Sequence, residues 1–394
     1  MLPYSRQTID ADDIEAVVAV LKSDFLTMGP AVPAFEAALA RRCEAREAVA
    51  TTSATSALHL ACLALGVGPG DAVWTSPITF LASANCALYC GASVDFVDID
   101  PRSLTLCPRA LERKLNAAAR AGRLPKVVIP VHLAGASADM EAIGALCARH
   151  GVQVIEDAAH ALGAERSGRP VGACAHSAVT VFSFHPVKMI TSAEGGAALT
   201  NDPALAAAMR RLRNHGVTRD PAEMESPPDG PWSYEQHSLG YNYRMSDVQA
   251  ALGLSQLGKL DAFVAERRRQ ADLYDVLLAG QPLITPWRDP SSLSSFHLYI
   301  VQLKLEAIGL SHRAVFEGMR AAGFGVQLHY IPVYRQPFHA RLGFRREDFP
   351  ASEAYYARAL SLPLFPGLSE ADQRRAAEAL CTLLAARPAL SGAA

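Results

Sequence analysis

The chain has no run approaching the ~18 uninterrupted apolar residues that a membrane-spanning helix needs, although 50% of its 394 residues are hydrophobic. Its start, MLPYSRQTIDADD, does not set a basic segment ahead of an apolar one as a secretory signal would, so the expected location is the cytoplasm. A dominant charge is missing too. The 37 basic and 39 acidic residues leave a formal net charge of −2, which gives no electrostatic case for nucleic acid or a membrane as partner. Eight cysteines, at 43, 62, 86, 90, 107, 147, 174 and 381, form no CxxC pair and no Cys/His cluster at zinc spacing. The expectation is therefore no metal, and buried free thiols in a reducing compartment. Internal repeats and low-complexity tracts are absent as well. What remains is enough apolar chain for a large core, and a length that suits two domains better than one.

What is present is an alternation of strand and helix. Strands are expected at Ala48–Thr51, Asp71–Thr75, Val94–Val97, Lys126–His132, Val152–Glu156, Ala178–Phe184 and Gly195–Thr200, with helical patterns over Ala82–Tyr89, Arg109–Ala121, Met140–His150 and Pro203–Asn214. Continuous apolar runs such as Val127 to Val131 argue for a mostly parallel sheet covered by helices on both faces. A capped amphipathic helix is expected over residues 8–22, with Ile14, Val17, Val18 and Leu21 as its apolar stripe. Farther on, one long helix from Ser246 to about Leu277 leads into a smaller α+β part. That part has expected strands at Tyr299–Leu305 and Gly325–Tyr330, and helices at Val315–Ala322, Ser352–Leu360 and Glu370–Ala386. The expected division is 1–245 and 246–394.

Ligands of such sheets sit outside the carboxyl ends of the strands, where this chain places Thr79 and Phe80, Asp98, His132, Asp157 with His160, and Ser183 with His185. Lys188 follows one strand and precedes the Glu194-Gly195-Gly196 turn. An amine held there in a partly apolar pocket would have a lowered pKa and serve Schiff-base chemistry; a solvated loop lysine is the ordinary alternative. The segment Thr52-Ser53-Ala54-Thr55-Ser56 runs straight into a helix, which makes it either an anion cup or plain N-capping. Asp157 ends its strand as a buried carboxylate or as a helix cap. Phe80 is an aromatic plate or core filler, and the cluster Arg210-Arg211-Leu212-Arg213-Asn214-His215 is a solvated face or an anion contact. A lysine, a phosphate cup, a strand-end carboxylate and an aromatic plate on one sheet edge are together what pyridoxal 5′-phosphate requires, the carboxylate keeping the ring nitrogen protonated.

The motifs SATSALHLA (53–61), PITFLASANCALYCGA (77–92), VIEDAAHALGA (154–164), FSFHPVK (182–188), EGGA (194–197), RNHG (213–216) and GYNYRMSDVQAALG (240–253) resemble the DegT/DnrJ/EryC1/StrS sugar aminotransferases. The resemblance spans essentially the whole chain. It implies an α/β, aspartate-aminotransferase-like fold, with a mostly parallel seven-stranded sheet between helices and a smaller α+β C-terminal domain. It also implies that Lys188 carries the cofactor, Asp157 pairs with its ring nitrogen, and Thr55, Ser56 and Ser183 hold its phosphate, with Asn242 reaching that phosphate from the other subunit of a homodimer. Phe80 would stack on the ring, and His160 and Glu194 would line the pocket. Arg6, Arg213, His215, His329 and Tyr330 are the candidates for the nucleotide sugar.

Residues 3–30 and LHYIPVYRQPF (328–338) further resemble the pseudaminic acid branch. That branch uses L-glutamate to aminate C4 of a UDP-linked 2-acetamido-2,6-dideoxy-4-ketohexose of the L-arabino type. Met189, Ala193 and Ala136 depart from the family pattern near the expected pocket. Another ketosugar is the main competing reading. A sugar dehydratase would lack the lysine or add clustered cysteines, and a noncatalytic relative would not keep Lys188 and Asp157.

Overall fold

The computed structural model describes residues 1–385. Ala386 of the expected last helix, and the end of the expected second domain after it, lie outside the described residues. Seven strands form the main sheet: β1 (Glu47–Thr51), β2 (Ala72–Thr75), β3 (Ser93–Phe96), β4 (Val127–Ile129), β5 (Gln153–Asp157), β6 (Val179–Ser183) and β7 (Gly196–Thr200). Their order is β1-β7-β6-β5-β4-β2-β3. β7 runs antiparallel to both its neighbours, and the other pairs are parallel.

Alternate residues of each strand feed cores on opposite faces. On one side Val127, Ile129, Val179 and Val181 pack with Leu58 and Cys62 of α3 (Ala54–Ala64), the helix that follows α1 (Ala11–Leu21) and α2 (Ala31–Arg42). On the other, Val128 and Val154 meet Leu115 and Ile143, while Phe182 and Leu199 meet Phe35 and Leu39. This two-sided burial is why the strands read as unbroken apolar runs. The fourth strand is shorter than expected, because Pro130 has no N–H to give the ladder and only the isolated bridge Val131↔Asp157 follows. The eight cysteines are free, and six of them are buried.

The second core surrounds a three-stranded antiparallel sheet, Leu283–Ile284, Tyr299–Leu303 and Ala359–Leu362, with Tyr299–Leu303 in the centre. Three expectations fail here. The long helix is two, Asp247–Leu257 and Leu260–Leu277, broken where Gly258 caps the first and Lys259 turns its ammonium onto Asp10 and Asp13. The expected helix over 352–360 ends at Tyr356, and its tail becomes the edge strand paired with Tyr299–Gln302, since burying Leu360 and Leu362 outweighs local propensity. Residues 325–330 make only the single bridge Gln327↔Ser361.

The first helix, Ala11–Leu21, also turns opposite to expectation. Its capping box is present, but Asp13 is the residue it buries, held by Ser255 Oγ and Gln256 Nε2 at 2.6 Å each. Ile14 and Leu21 stay 58% and 56% exposed, so the apolar stripe of the single chain is uncovered. No described helix is long and apolar enough to cross a membrane.

Candidate active site

A cavity of about 380 Å³ opens at the carboxyl ends of β5 and β6, and Lys188, Asp157, His160, Ser183, Thr55 and Phe80 all line it. The helix start reaches this edge because Gly196 lets it. A Cβ at Gly196 would stand 2.3 Å from the Ala54 nitrogen and 2.4 Å from the Ser53 carbon, so β7 and the first turn of α3 are in backbone contact. Ser53 caps α3 by accepting the Ser56 N–H at 3.1 Å. The amides of Ala54 and Thr55, first-turn donors without helical acceptors, are thereby left beside the cavity. Ser56 itself is buried, its hydroxyl 2.9 Å from both the Thr52 and the Ser53 hydroxyl. It supports the cup from behind rather than lining it, so of the two expected phosphate hydroxyls on this helix only Thr55 faces the cavity.

Lys188 leaves β6 on a turn in which its N–H donates to the His185 carbonyl at 2.8 Å. Burial pushes its amine down from 10.5 to about 8, against the opposing pull of the Asp157 carboxylate. Asp157 is 5% exposed. One of its oxygens accepts the Ala159 N–H at 3.0 Å and the other the Ser83 hydroxyl at 2.5 Å. The carboxylate is therefore oriented as well as buried, and its cap-like contact with Ala159 coexists with cavity lining.

Three imidazoles gather around the lysine, all held neutral by burial with the Lys188 charge as a further cause. His160 and His297 lie well below the ordinary histidine value, and His329 is lowered to about 3. His160 Nδ1 accepts the Ala134 N–H at 3.2 Å, which fixes the ring proton on Nε2, 3.1 Å from the Tyr330 hydroxyl. His329 Nδ1 lies 2.8 Å from Ser361 Oγ. Tyr330 stays protonated, its pKa raised first by burial.

Of the residues proposed for the pocket and the nucleotide sugar, Glu194, His329 and Tyr330 line the cavity. Arg6 does not; its guanidinium stacks over Phe365 at 5.2 Å. Arg213 is also withdrawn, with Nη1 at 2.5 Å from Glu36 and 2.6 Å from the Ala50 carbonyl. Arg210 and Arg211 are paired with Glu47 and Glu223, so this cluster pins its helix to β1 and to the loop segment that carries Glu223. His215 is exposed with φ +59° and reaches the site no better. Asn242 is exposed beside its bridge to Asn214 and does not line its own chain's cavity.

Two strand-end residues serve elsewhere: Asp98 caps the segment at Ala351 and Ser352, and His132 lies 2.7 Å from the buried Glu156. The three departures from the family pattern stay out of the cavity lining. Met189 is 3% exposed in the core, and Ala136 faces a separate cleft beside Trp287. Ala193 adopts φ +65°, a left-handed backbone that explains why glycine suits this position.

Sequence reasoning missed Tyr4, which enters the cavity from the N-terminal segment, and Ser83. The i, i+4 hydroxyls of Thr79 and Ser83 at a helix start were the only local hint of the latter.

The buried carboxylate, the half-buried low-pKa amine and the free helix-start amides fit pyridoxal 5′-phosphate: a ring nitrogen, an aldehyde and a phosphate. The family model described as DegT/DnrJ/EryC1/StrS aminotransferase matches residues 7–381. Among curated proteins, the spore coat polysaccharide biosynthesis protein SpsC of Bacillus subtilis is 38% identical over 374 residues, 94% of each chain. Among solved structures, the PMP form of Spr1654 from Streptococcus pneumoniae, assigned as a sugar aminotransferase, superposes with a TM-score of 0.89 at 29% identity, over 97% of this chain and 99% of that one. Helicobacter pylori PseC, an aminotransferase of pseudaminic acid biosynthesis, gives 0.88 at 30% identity over 97% and 99%.

Proposed function

This chain belongs to the DegT/DnrJ/EryC1/StrS aminotransferase family, whose members work with pyridoxal 5′-phosphate, and from that premise we propose that its substrate is a UDP-linked 2-acetamido-2,6-dideoxy-4-ketohexose of the L-arabino type. With L-glutamate as donor the product is UDP-4-amino-4,6-dideoxy-N-acetyl-β-L-altrosamine, for pseudaminic acid. The observation that carries this reading is that both segments typical of that branch send side chains into the cavity: Tyr4 from residues 3–30, and His329 with Tyr330 from 328–338. The likeness to PseC over nearly the whole chain supports it. A second reading, amination of a different nucleotide-4-ketosugar, is favoured by the higher identity to SpsC.

When bound, the cofactor supplies an electron sink for the carbanion at the amino carbon. The chain's own residues do the rest. Lys188 would hold the cofactor, and its amine is the chain's own group placed to take and return the proton of the donor's Cα. An amine at about 8 suits both accepting and returning that proton near neutrality. Asp157 keeps the ring nitrogen protonated. Thr55, Ser183 and the first-turn amides of α3 would hold the phosphate, and Phe80 and the neutral imidazole of His160 line the same cavity where the ring would sit. His329, Tyr330 and Glu194 face the sugar.

Asn242 completes the phosphate site of a second copy. The exposed stripe of Ile14, Val18 and Leu21 and the exposed Phe25 and Met28 supply the apolar surface such a homodimer would cover, so sedimentation of an active monomer would remove that role. The deciding experiment is a panel of UDP- and dTDP-4-ketosugars with glutamate, read by mass. Amination of the L-arabino substrate at least tenfold faster than the others supports the reading, and preference for another ketosugar overturns it.

A further inference from the structure

We propose that Ser83, steered by Thr79, is a positioning residue for the cofactor's ring nitrogen, acting through Asp157. The proposal rests on the placement of Asp157 opposite that nitrogen. Ser83 Oγ lies 2.5 Å from Asp157 Oδ2 and 2.7 Å from Thr79 Oγ1. A carboxylate only accepts, so the single Ser83 proton goes to Asp157 and the Thr79 hydroxyl must donate to Ser83. The other acceptor near Ser83 Oγ, the Phe80 carbonyl, is 3.5 Å away and loses to the shorter, charge-assisted bond. Thr79, Ser83 and Asp157 are 2%, 0% and 5% exposed, and Ser83, which does not line the cavity, is closed to solvent.

The result is a one-way chain, Thr79 to Ser83 to Asp157 Oδ2, with the Ala159 N–H on Oδ1. Two donors on two different oxygens fix the carboxylate plane. They leave one lone pair on each oxygen for a further donor, which a protonated ring nitrogen facing the cavity supplies. A carboxylate held in this plane presents a free lone pair to the ring nitrogen, and that hydrogen bond is what keeps the nitrogen protonated.

The test uses the holoenzyme, loaded with ring-15N pyridoxal 5′-phosphate and followed by NMR from pH 6 to 9. In the parent protein the ring nitrogen should remain protonated across the range. In Ser83→Ala it should lose its proton within the range, with kcat falling about tenfold, the scale of one hydrogen bond to a charged group, and KM for the ketosugar changing less than twofold. Ser83→Thr should restore both readouts, and Thr79→Val should fall between. A parent-like 15N signal in Ser83→Ala overturns the proposal, even if the melting temperature drops, because a purely structural serine would behave that way. Asp157→Asn separates the two layers. If it leaves the 15N signal unchanged, the placement of Asp157 itself is wrong; if it moves the signal while Ser83→Ala does not, only the relay fails.

Discussion

The lowered pKa of Lys188 can be read directly as a rate. At about 8, roughly a quarter of the amine is free at pH 7.5, against about one part in a thousand for a lysine at the ordinary value, a ratio of roughly two hundred. Cofactor added to the stripped protein and trapped with borohydride should therefore collect on Lys188, with a trapping rate that rises through pH 7 to 8 and then levels. The chain has six lysines, so peptide mass resolves them all. Lys114, Lys126 and Lys259 are each engaged by carboxylates and should label slowly. Because Asp157 pulls the Lys188 value upward against burial, Asp157→Asn should move the inflection to lower pH. The same shift has a stability sign. The unfolded chain holds the lysine proton up to 10.5 and the folded one only to about 8, so the stripped protein should gain stability as pH rises between those values. An inflection at 10 or above, or label spread evenly over the lysines, would refute the argument that burial sets the chemistry.

Two further outcomes test the scaffold. Gly196→Ala forces a methyl to within 2.3 Å of the Ala54 nitrogen; the first turn of α3 must shift, costing about 1–3 kcal/mol by overpacking and weakening cofactor retention, which equilibrium dialysis and thermal melts would show together. Arg213→Ala breaks a largely buried pair with Glu36 and should cost about 3 kcal/mol of stability while leaving the KM for the sugar within twofold; a large KM effect at parent-like stability would return Arg213 to the substrate.

Much of the site was legible because its residues end strands or start helices, where local pattern fixes position. Ser183 closes β6 and Lys188 follows it, Asp157 closes β5, and Thr55 opens α3; apolar runs and hydroxyl caps mark all three boundaries. Side-chain commitments were not legible. Ser56 and Thr55 are adjacent and chemically alike, yet one is spent on Thr52 and Ser53 and the other faces the cavity. Arg213 looks like an anion contact until Glu36, 177 residues away in sequence, comes within 2.5 Å.

The sequence by itself determined the alternation that builds the sheet, the glycine at 196 that allows a helix to touch it, and the lysine and carboxylate types that chemistry on this cofactor needs. These depend on periodicity and on residue chemistry, which are local. Only the tertiary structure decided that Ser83 serves Asp157 and that Tyr4 enters the cavity from the N-terminal segment. It alone decided that the first helix buries Asp13 and leaves its apolar stripe uncovered. Each of those outcomes depends on which distant group arrives to satisfy a donor, an acceptor or an apolar surface, and long-range packing sets that while spacing along the chain does not.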